Sequence, residues 1–214
     1  MHTIKVKVCG LTRPEDALFC QECGVDFIGF VMAGESPRHI SPEAVAAMPT
    51  ISPIPPIPVS AAKRVGVFTS DDIAELEETA QVASLDYLQL HGGQSVETCR
   101  ALGPERVIKV LWPERLGIAD LQMELDRYAS ACAYFLFDAG KSGGGMGRPF
   151  AWEMLRRLDV PRPWFLAGGI EPGSAKDAAA YSPFALDVNS GVEISPGVKD
   201  VAKIRNVLRN LNKI

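Results

Sequence analysis

Ile4-Lys5-Val6-Lys7-Val8, followed at once by Cys9-Gly10-Leu11-Thr12-Arg13, is the stretch on which the choice of fold turns. The first five residues are a short β-branched run and read as a strand. In an open, dinucleotide-binding sheet the next turn would carry a Gly-x-Gly-x-x-Gly phosphate loop, and Cys9 to Arg13 is not one. Seven further runs repeat the pattern downstream: Asp26–Val31, Arg64–Phe68, Asp86–Leu90, Arg106–Leu111, Tyr134–Asp138, Pro163–Ala167 and Phe184–Val188. Their spacing, roughly 20–30 residues, is what a strand, a loop and a returning helix require. Strict alternation of this kind implies a parallel sheet with right-handed crossovers. Eight units in 214 residues predict an α/β fold, a single (β/α)8 TIM barrel domain over 1–214 with a central eight-stranded parallel sheet.

The segments between the runs read as helices. Asp71–Val82 places Ile73, Leu76 and Ala80 on one face and acidic residues in its first turn, where the helix dipole favours them. Pro14 and Pro42 suit helix starts, and Ser41 is an N-cap candidate. The run from Pro49 to Pro58 can be neither a helix nor an inner strand, because proline removes the donors both need. It is expected to be an extended linker, with a proline-recognising partner as the rarer alternative.

Composition narrows the function classes. With 22 basic and 26 acidic residues, the net charge of −4 argues against a nucleic-acid partner. No run of eighteen apolar residues offers a membrane span, and the charged start is not a secretory signal. Five cysteines, an odd number, fit free thiols in a reducing compartment, so a cytoplasmic location is expected.

In a barrel the active site lies at the C-terminal ends of the strands and in the loops after them. Cys9 ends strand one, where it can serve as nucleophile or base; the competing view is a small core residue, and the adjoining Gly10 favours function. Asp138 closes the apolar run Tyr134-Phe135-Leu136-Phe137, where desolvation would suit a general acid, or it is simply a capping aspartate. Gln89, His91 and Asp187, at the ends of strands four and eight, are candidates for substrate contact, although a lone histidine is more often structural. Arg38 offers a fork for a carboxylate or phosphate, against the alternative of a solvated surface arginine. Gly168 and Gly169 after strand seven, with Ser190 and Gly191 after strand eight, are expected to cradle a phosphate. A third glycine cluster, Gly143 to Gly147, follows strand six. Cys20 and Cys23 lack a second pair at metal-ligand spacing, and Cys99 and Cys132 read as packing residues.

Taken in order, Lys7-Val8-Cys9-Gly10-Leu11-Thr12, Ser36-Pro37-Arg38-His39, Arg64-Val65-Gly66-Val67-Phe68, Leu88-Gln89-Leu90-His91-Gly92 and Asp187-Val188-Asn189-Ser190-Gly191-Val192-Glu193 resemble the phosphoribosylanthranilate isomerase family of tryptophan biosynthesis. The resemblance runs from residue 5 to residue 200. It implies a (β/α)8 barrel that performs an Amadori rearrangement of N-(5-phosphoribosyl)anthranilate without metal or organic cofactor. By the same resemblance Cys9 is the general base, Asp138 the general acid, Arg38 the ligand of the anthranilate carboxylate, and the Gly168-Gly169 and Ser190-Gly191 loops the phosphate site. Lys7 is read as turned away from Cys9 and so is given no part in lowering its pKa. The loop after strand six departs from the family pattern, with Met146 in place of a threonine and Arg148 in place of a lysine.

The expected partner is the small-molecule substrate alone, with the chain a monomer or homodimer. Two rival readings remain. An indole-glycerol-phosphate synthase relative would need a lysine acid, for which Lys109 is the tempting residue, and supporting glutamates that the strand ends do not supply. A non-catalytic phosphosugar-binding barrel would keep the late glycine loops but would not need both Cys9 and Asp138 at strand ends, so their joint presence argues against it.

Overall fold

The computed structural model describes residues 3–50, 61–138 and 150–214. Eight parallel strands close into a barrel in chain order: β1 (Lys5–Val8), β2 (Phe27–Val31), β3 (Lys63–Phe68), β4 (Tyr87–Leu90), β5 (Val107–Leu111), β6 (Tyr134–Asp138), β7 (Trp164–Ala167) and β8 (Ala185–Val188). Strand β8 returns to β1 in register, with Lys7 opposite Asp187 and Val8 opposite Val188. Each expected strand is found within one residue of its sequence-read bounds.

Helices α1 (Pro14–Glu22), α2 (Pro42–Ala46), α3 (Ile73–Val82), α4 (Val96–Ala101), α5 (Ile118–Tyr128), α6 (Phe150–Leu155), α7 (Ala175–Ala179) and α8 (Val201–Asn210) alternate with the strands. Pro14 and Pro42 occupy first-turn positions, and the Ser41 hydroxyl accepts from the Ala44 amide at 3.2 Å. Helix α3 starts two residues later than expected, because Asp72 is its N-cap and accepts from the Ala74 and Glu75 amides. After β8 come a 3-10 turn (Ser190–Val192) and a small antiparallel hairpin, β9 (Glu193–Ser195) with β10 (Val198–Lys199). Among the described residues no helix is long and apolar enough to cross a membrane.

Two apolar layers follow from the two-residue period of the strands. Val6, Val8, Ile28, Phe30, Leu88, Leu90, Phe135 and Phe137 point outwards and pack under the helices. Phe27, Val65, Ile108, Val110, Leu136, Phe165 and Ala185 point inwards and fill the barrel. Burying each of the larger ones stabilises the fold by about 1.5–3 kcal/mol. At the N-terminal end the rings of Phe27, Tyr134, Phe165 and Phe184 pack mostly edge to face, and the Lys5 ammonium lies 5.6 Å from the Phe184 ring centre. This aromatic floor closes one end of the barrel, so polar groups on the inward face collect at the other. The Pro-rich run and the Gly143 to Gly147 cluster, with Met146 and Arg148, lie outside the described residues apart from Pro49 and Thr50.

Candidate active site

Above the apolar filling, the inward positions of β1, β4 and β8 turn polar. Lys7 has no solvent exposure, and its ammonium donates to Gln89 Oε1 at 2.6 Å and to Asp187 Oδ2 at 2.9 Å. Cys9 is the next inward residue on the same chain, and the ammonium acts on its thiol electrostatically. The expectation that Lys7 is turned away from Cys9 is therefore corrected: residues two apart on a strand share a face, and Lys5, Lys7 and Cys9 all belong to the inward side. Room for the pair is made by β2. A Cβ on Gly29 would stand 2.8 Å from Cys9 Sγ and 3.1 Å from Lys7 Cε.

Electrostatics tie these groups together. Burial works against the charge on Lys7, but Asp187 and then Cys9 outweigh it and raise its pKa above the ordinary lysine value. Burial pushes the Cys9 thiol up; the Lys7 ammonium is the largest opposing influence, followed after the Asp187 charge by Lys199. Burial likewise pushes the Asp187 carboxyl up, against the pull of Lys7. Asp187 Oδ1 is buried and takes no hydrogen bond among the described residues, which leaves an acceptor at the barrel mouth.

A second line of contacts leads from Lys7 to the opposite side of the mouth. Gln89 Nε2 lies 3.3 Å from His91 Nδ1, and His91 Nε2 lies 3.6 Å from Asp138 Oδ2. Burial, then the nearby Lys7 charge, brings the His91 pKa down to about 4, so the ring is neutral around pH 7 and its approach to Asp138 is not an ion pair there. The loop after β4 that carries His91 is braced from below. Lys109 donates to the Gly92 and Gln94 carbonyls at 3.2 and 3.0 Å, and its ammonium lies 4.8 Å from the Tyr128 ring centre. Lys109 thus faces α5 rather than the barrel interior, which removes the lysine a synthase-type mechanism would have used.

Arg38 sits in the loop after β2 and is gripped by the hairpin after β8. Its Nε and Nη2 fork onto Glu193 at 2.9 and 2.7 Å, and Lys199 donates to the same carboxylate at 2.8 Å and to Asn189 Oδ1 at 3.0 Å. Burial opposes the charge on Glu193, but its hydrogen bonds with Arg38 and Lys199 prevail and hold its pKa below the usual carboxylate range. Gly10, at φ +71, lets the loop after β1 pass against Arg38 and Asn189; a Cβ there would stand 2.8 Å from Arg38 Cδ.

The loops after β7 and β8 meet. Gly168 and Gly169 both have positive φ, and a Cβ on Gly191 would collide with the Ile170 carbonyl. Cys9, Gln89, His91, Asp138 and Asp187 are thus linked through Lys7 and through each other. Arg38 and the two glycine loops rim the same end of the barrel. Sequence reasoning missed Lys7, Glu193 and Lys199. The first had a local signal, the odd-numbered register that it shares with Lys5 and Cys9. The other two had none, since their partner Arg38 is 155 residues from Glu193. Among the described residues no group of three His, Cys, Asp or Glu side chains could hold a metal ion.

A thiol and a carboxylate at strand ends, joined by a buried polar network at the mouth of a closed parallel barrel, define an acid–base enzyme of the (β/α)8 class. Comparison with known proteins narrows the class. Residues 6–210 match the family model of N-(5'phosphoribosyl)anthranilate (PRA) isomerase. A relative from Maridesulfovibrio salexigens named N-(5'-phosphoribosyl)anthranilate isomerase is 42% identical over 204 residues, covering 94% of this chain and 95% of its own length. Among solved structures, monomers of the dimeric phosphoribosylanthranilate isomerase of Thermotoga maritima superpose with a TM-score of 0.80 at 32% identity, covering 99% of this chain and 100% of that one. A phosphoribosyl anthranilate isomerase in complex with reduced 1-(o-carboxyphenylamino)-1-deoxyribulose 5-phosphate gives a TM-score of 0.77 at 32% identity, with the same coverage. The chain belongs to the N-(5'-phosphoribosyl)anthranilate isomerase family.

Proposed function

We propose that this chain isomerises N-(5-phosphoribosyl)anthranilate with Asp138 as the acid and Cys9 as the base. Asp138 gives its proton to the furanose ring oxygen as the bond from that oxygen to C1 breaks, leaving a Schiff base between C1 and the aryl nitrogen. Cys9 as thiolate takes the proton from C2, and the electron pair moves to give an enolamine. Proton transfer from the C2 hydroxyl to C1 then yields the ketone, 1-(2-carboxyphenylamino)-1-deoxyribulose 5-phosphate. Nothing is oxidised or reduced overall.

The observation that carries this reading is the buried Lys7 ammonium, which shares the inward face of β1 with Cys9 and is the largest influence opposing the effect of burial on its thiol. A thiolate formed there meets a fixed positive charge. Family membership favours the isomerase over a barrel that only binds phosphosugars, which would have no use for a thiol held in this way. Asp187, through its free Oδ1, and Gln89 and His91 line the space between acid and base and are assigned to substrate contact. Arg38 is assigned to the anthranilate carboxylate: Glu193 holds its Nε and Nη2 edge, and Nη1 takes no part in that fork. Gly168, Gly169, Ser190 and Gly191 are assigned to the phosphate, supported by positive φ at the first pair and the close meeting of the two loops. All of these groups come from one chain, so the reading needs no partner subunit. The five cysteines are free, which supports a reducing, cytoplasmic setting.

The test is turnover of freshly prepared phosphoribosylanthranilate, followed by fluorescence, in Cys9→Ala and Asp138→Asn. Loss of kcat in both, with substrate-analogue binding retained, is expected. Unchanged kcat/KM in either variant would overturn that residue's role.

A further inference from the structure

We propose that Gln89 is a positioning residue that locks His91 in the tautomer carrying its proton on Nε2, so that a one-way chain of donors runs from Lys7 through Gln89 and His91 to Asp138. The argument begins with the ammonium, which can only donate. At 2.6 Å from Lys7 Nζ, the atom of Gln89 has to be the carbonyl Oε1, because the flipped amide would set donor against donor. That choice turns Nε2, which can only donate, towards His91 Nδ1 at 3.3 Å. Nδ1 must then present a lone pair, and a neutral ring places its proton on Nε2. That proton faces Asp138 Oδ2 across 3.6 Å, a gap longer than a hydrogen bond that bound substrate can close.

The consequence rests on Asp138 being the acid. Once Asp138 has given up its proton, His91 Nε2–H is a donor already aimed at its carboxylate. One buried ammonium then serves both halves of the reaction, directly at Cys9 and through two neutral side chains at Asp138. Around His91 the charged groups are Lys7 from β1, Lys109 from β5, Arg115 after β5, Asp138 from β6 and Asp187 from β8, with Trp112 edge-on at 5.4 Å. Of the carboxylates among the described residues, Asp138 is the one within 4 Å of Nε2.

The experiment is long-range proton–nitrogen spectroscopy of the imidazoles of the full chain at pH 7, with His91 assigned by its absence in His91→Gln. The Nε2–H form is expected in about tenfold excess or more, the ratio that follows when the other tautomer would break a buried hydrogen bond. In Gln89→Glu one carboxylate oxygen still accepts from Lys7 while the other now asks Nδ1 for a proton. His91 should therefore titrate at least about one unit above its present value near 4. The same variant should lose kcat, since the donor chain is broken at Gln89 while Cys9 and Asp138 are kept. Gln89→Leu should let the two tautomers mix. A His91 found as Nδ1–H, or a tautomer ratio and titration indifferent to both substitutions, would overturn the lock. An Asp138→Asn variant with full turnover, together with the expected spectra, would instead overturn the acid assignment and leave the lock standing.

Discussion

The ammonium of Lys7 and the carboxylate of Asp187 meet at 2.9 Å across the seam where the barrel closes, both almost wholly withdrawn from solvent. Their residues are paired in register between β1 and β8, so the sheet itself sets the contact. A buried pair of this kind contributes little net stability, because desolvation offsets attraction, but removing one partner is costly. That asymmetry makes the pair a sensitive place to probe the site.

Lys7→Met should lower stability by about 3–5 kcal/mol, as an uncompensated Asp187 is left inside the barrel. Cys9 loses its largest charge-stabilising neighbour, so its thiol pKa should rise further. Alkylation of the Cys9 peptide as a function of pH, read by mass spectrometry, should shift to higher pH in the variant. An unshifted profile would remove Lys7 from the base.

His91 makes stability pH-dependent with a definite sign. Its pKa falls from the ordinary 6.5 to about 4 in the folded chain, so between these values the unfolded state binds the proton and the folded state does not. Stability from this group is complete above 6.5, declines as pH falls through that window and is gone below about 4. The contribution is roughly 3 kcal/mol at most. Urea unfolding from pH 7 to pH 4 should show a shallower decline in His91→Gln than in the parent chain.

Gly29→Ala puts a methyl group within 2.8 Å of Cys9 Sγ. The sulfur and the Lys7 chain must both move, with a stability loss of about 1–3 kcal/mol from overpacking. Activity should fall by about 10²-fold, because a displacement near 1 Å at a catalytic group has that effect. A variant with parental kcat and an unmoved thiol pKa would show that the glycine is not needed for placement.

Glu193→Gln frees Arg38 and leaves Lys199 without its carboxylate. KM should rise by about tenfold, the effect of losing one charge-assisted contact, while kcat changes little. The carboxylate is held below its ordinary value of 4.5, so its contribution is present above that pH and is lost as pH falls through the folded-state value. The substitution should remove this part of the acid sensitivity in unfolding measurements. A selective loss of kcat instead would place Arg38 in the chemical step.

The eight strands were legible to within a residue because their signals are local: β-branched runs, a two-residue period and a helix-length return. Two first-turn prolines and the Ser41 cap were legible for the same reason. Strand ends then pointed to Cys9, Gln89, His91, Asp138 and Asp187, since in a closed parallel barrel those positions have one place to face. What sits beside them across the barrel was not legible, although the strand register placed Lys7 on the face of Cys9. Lys7 reaches Gln89 across 82 residues and Asp187 across 180, and Arg38 reaches Glu193 across 155. Such pairs are chosen by the register of barrel closure and by the volume that Gly29 leaves empty. No pattern along the chain encodes either, and only the folded barrel decides that one buried lysine links Cys9 to the line of side chains that ends at Asp138.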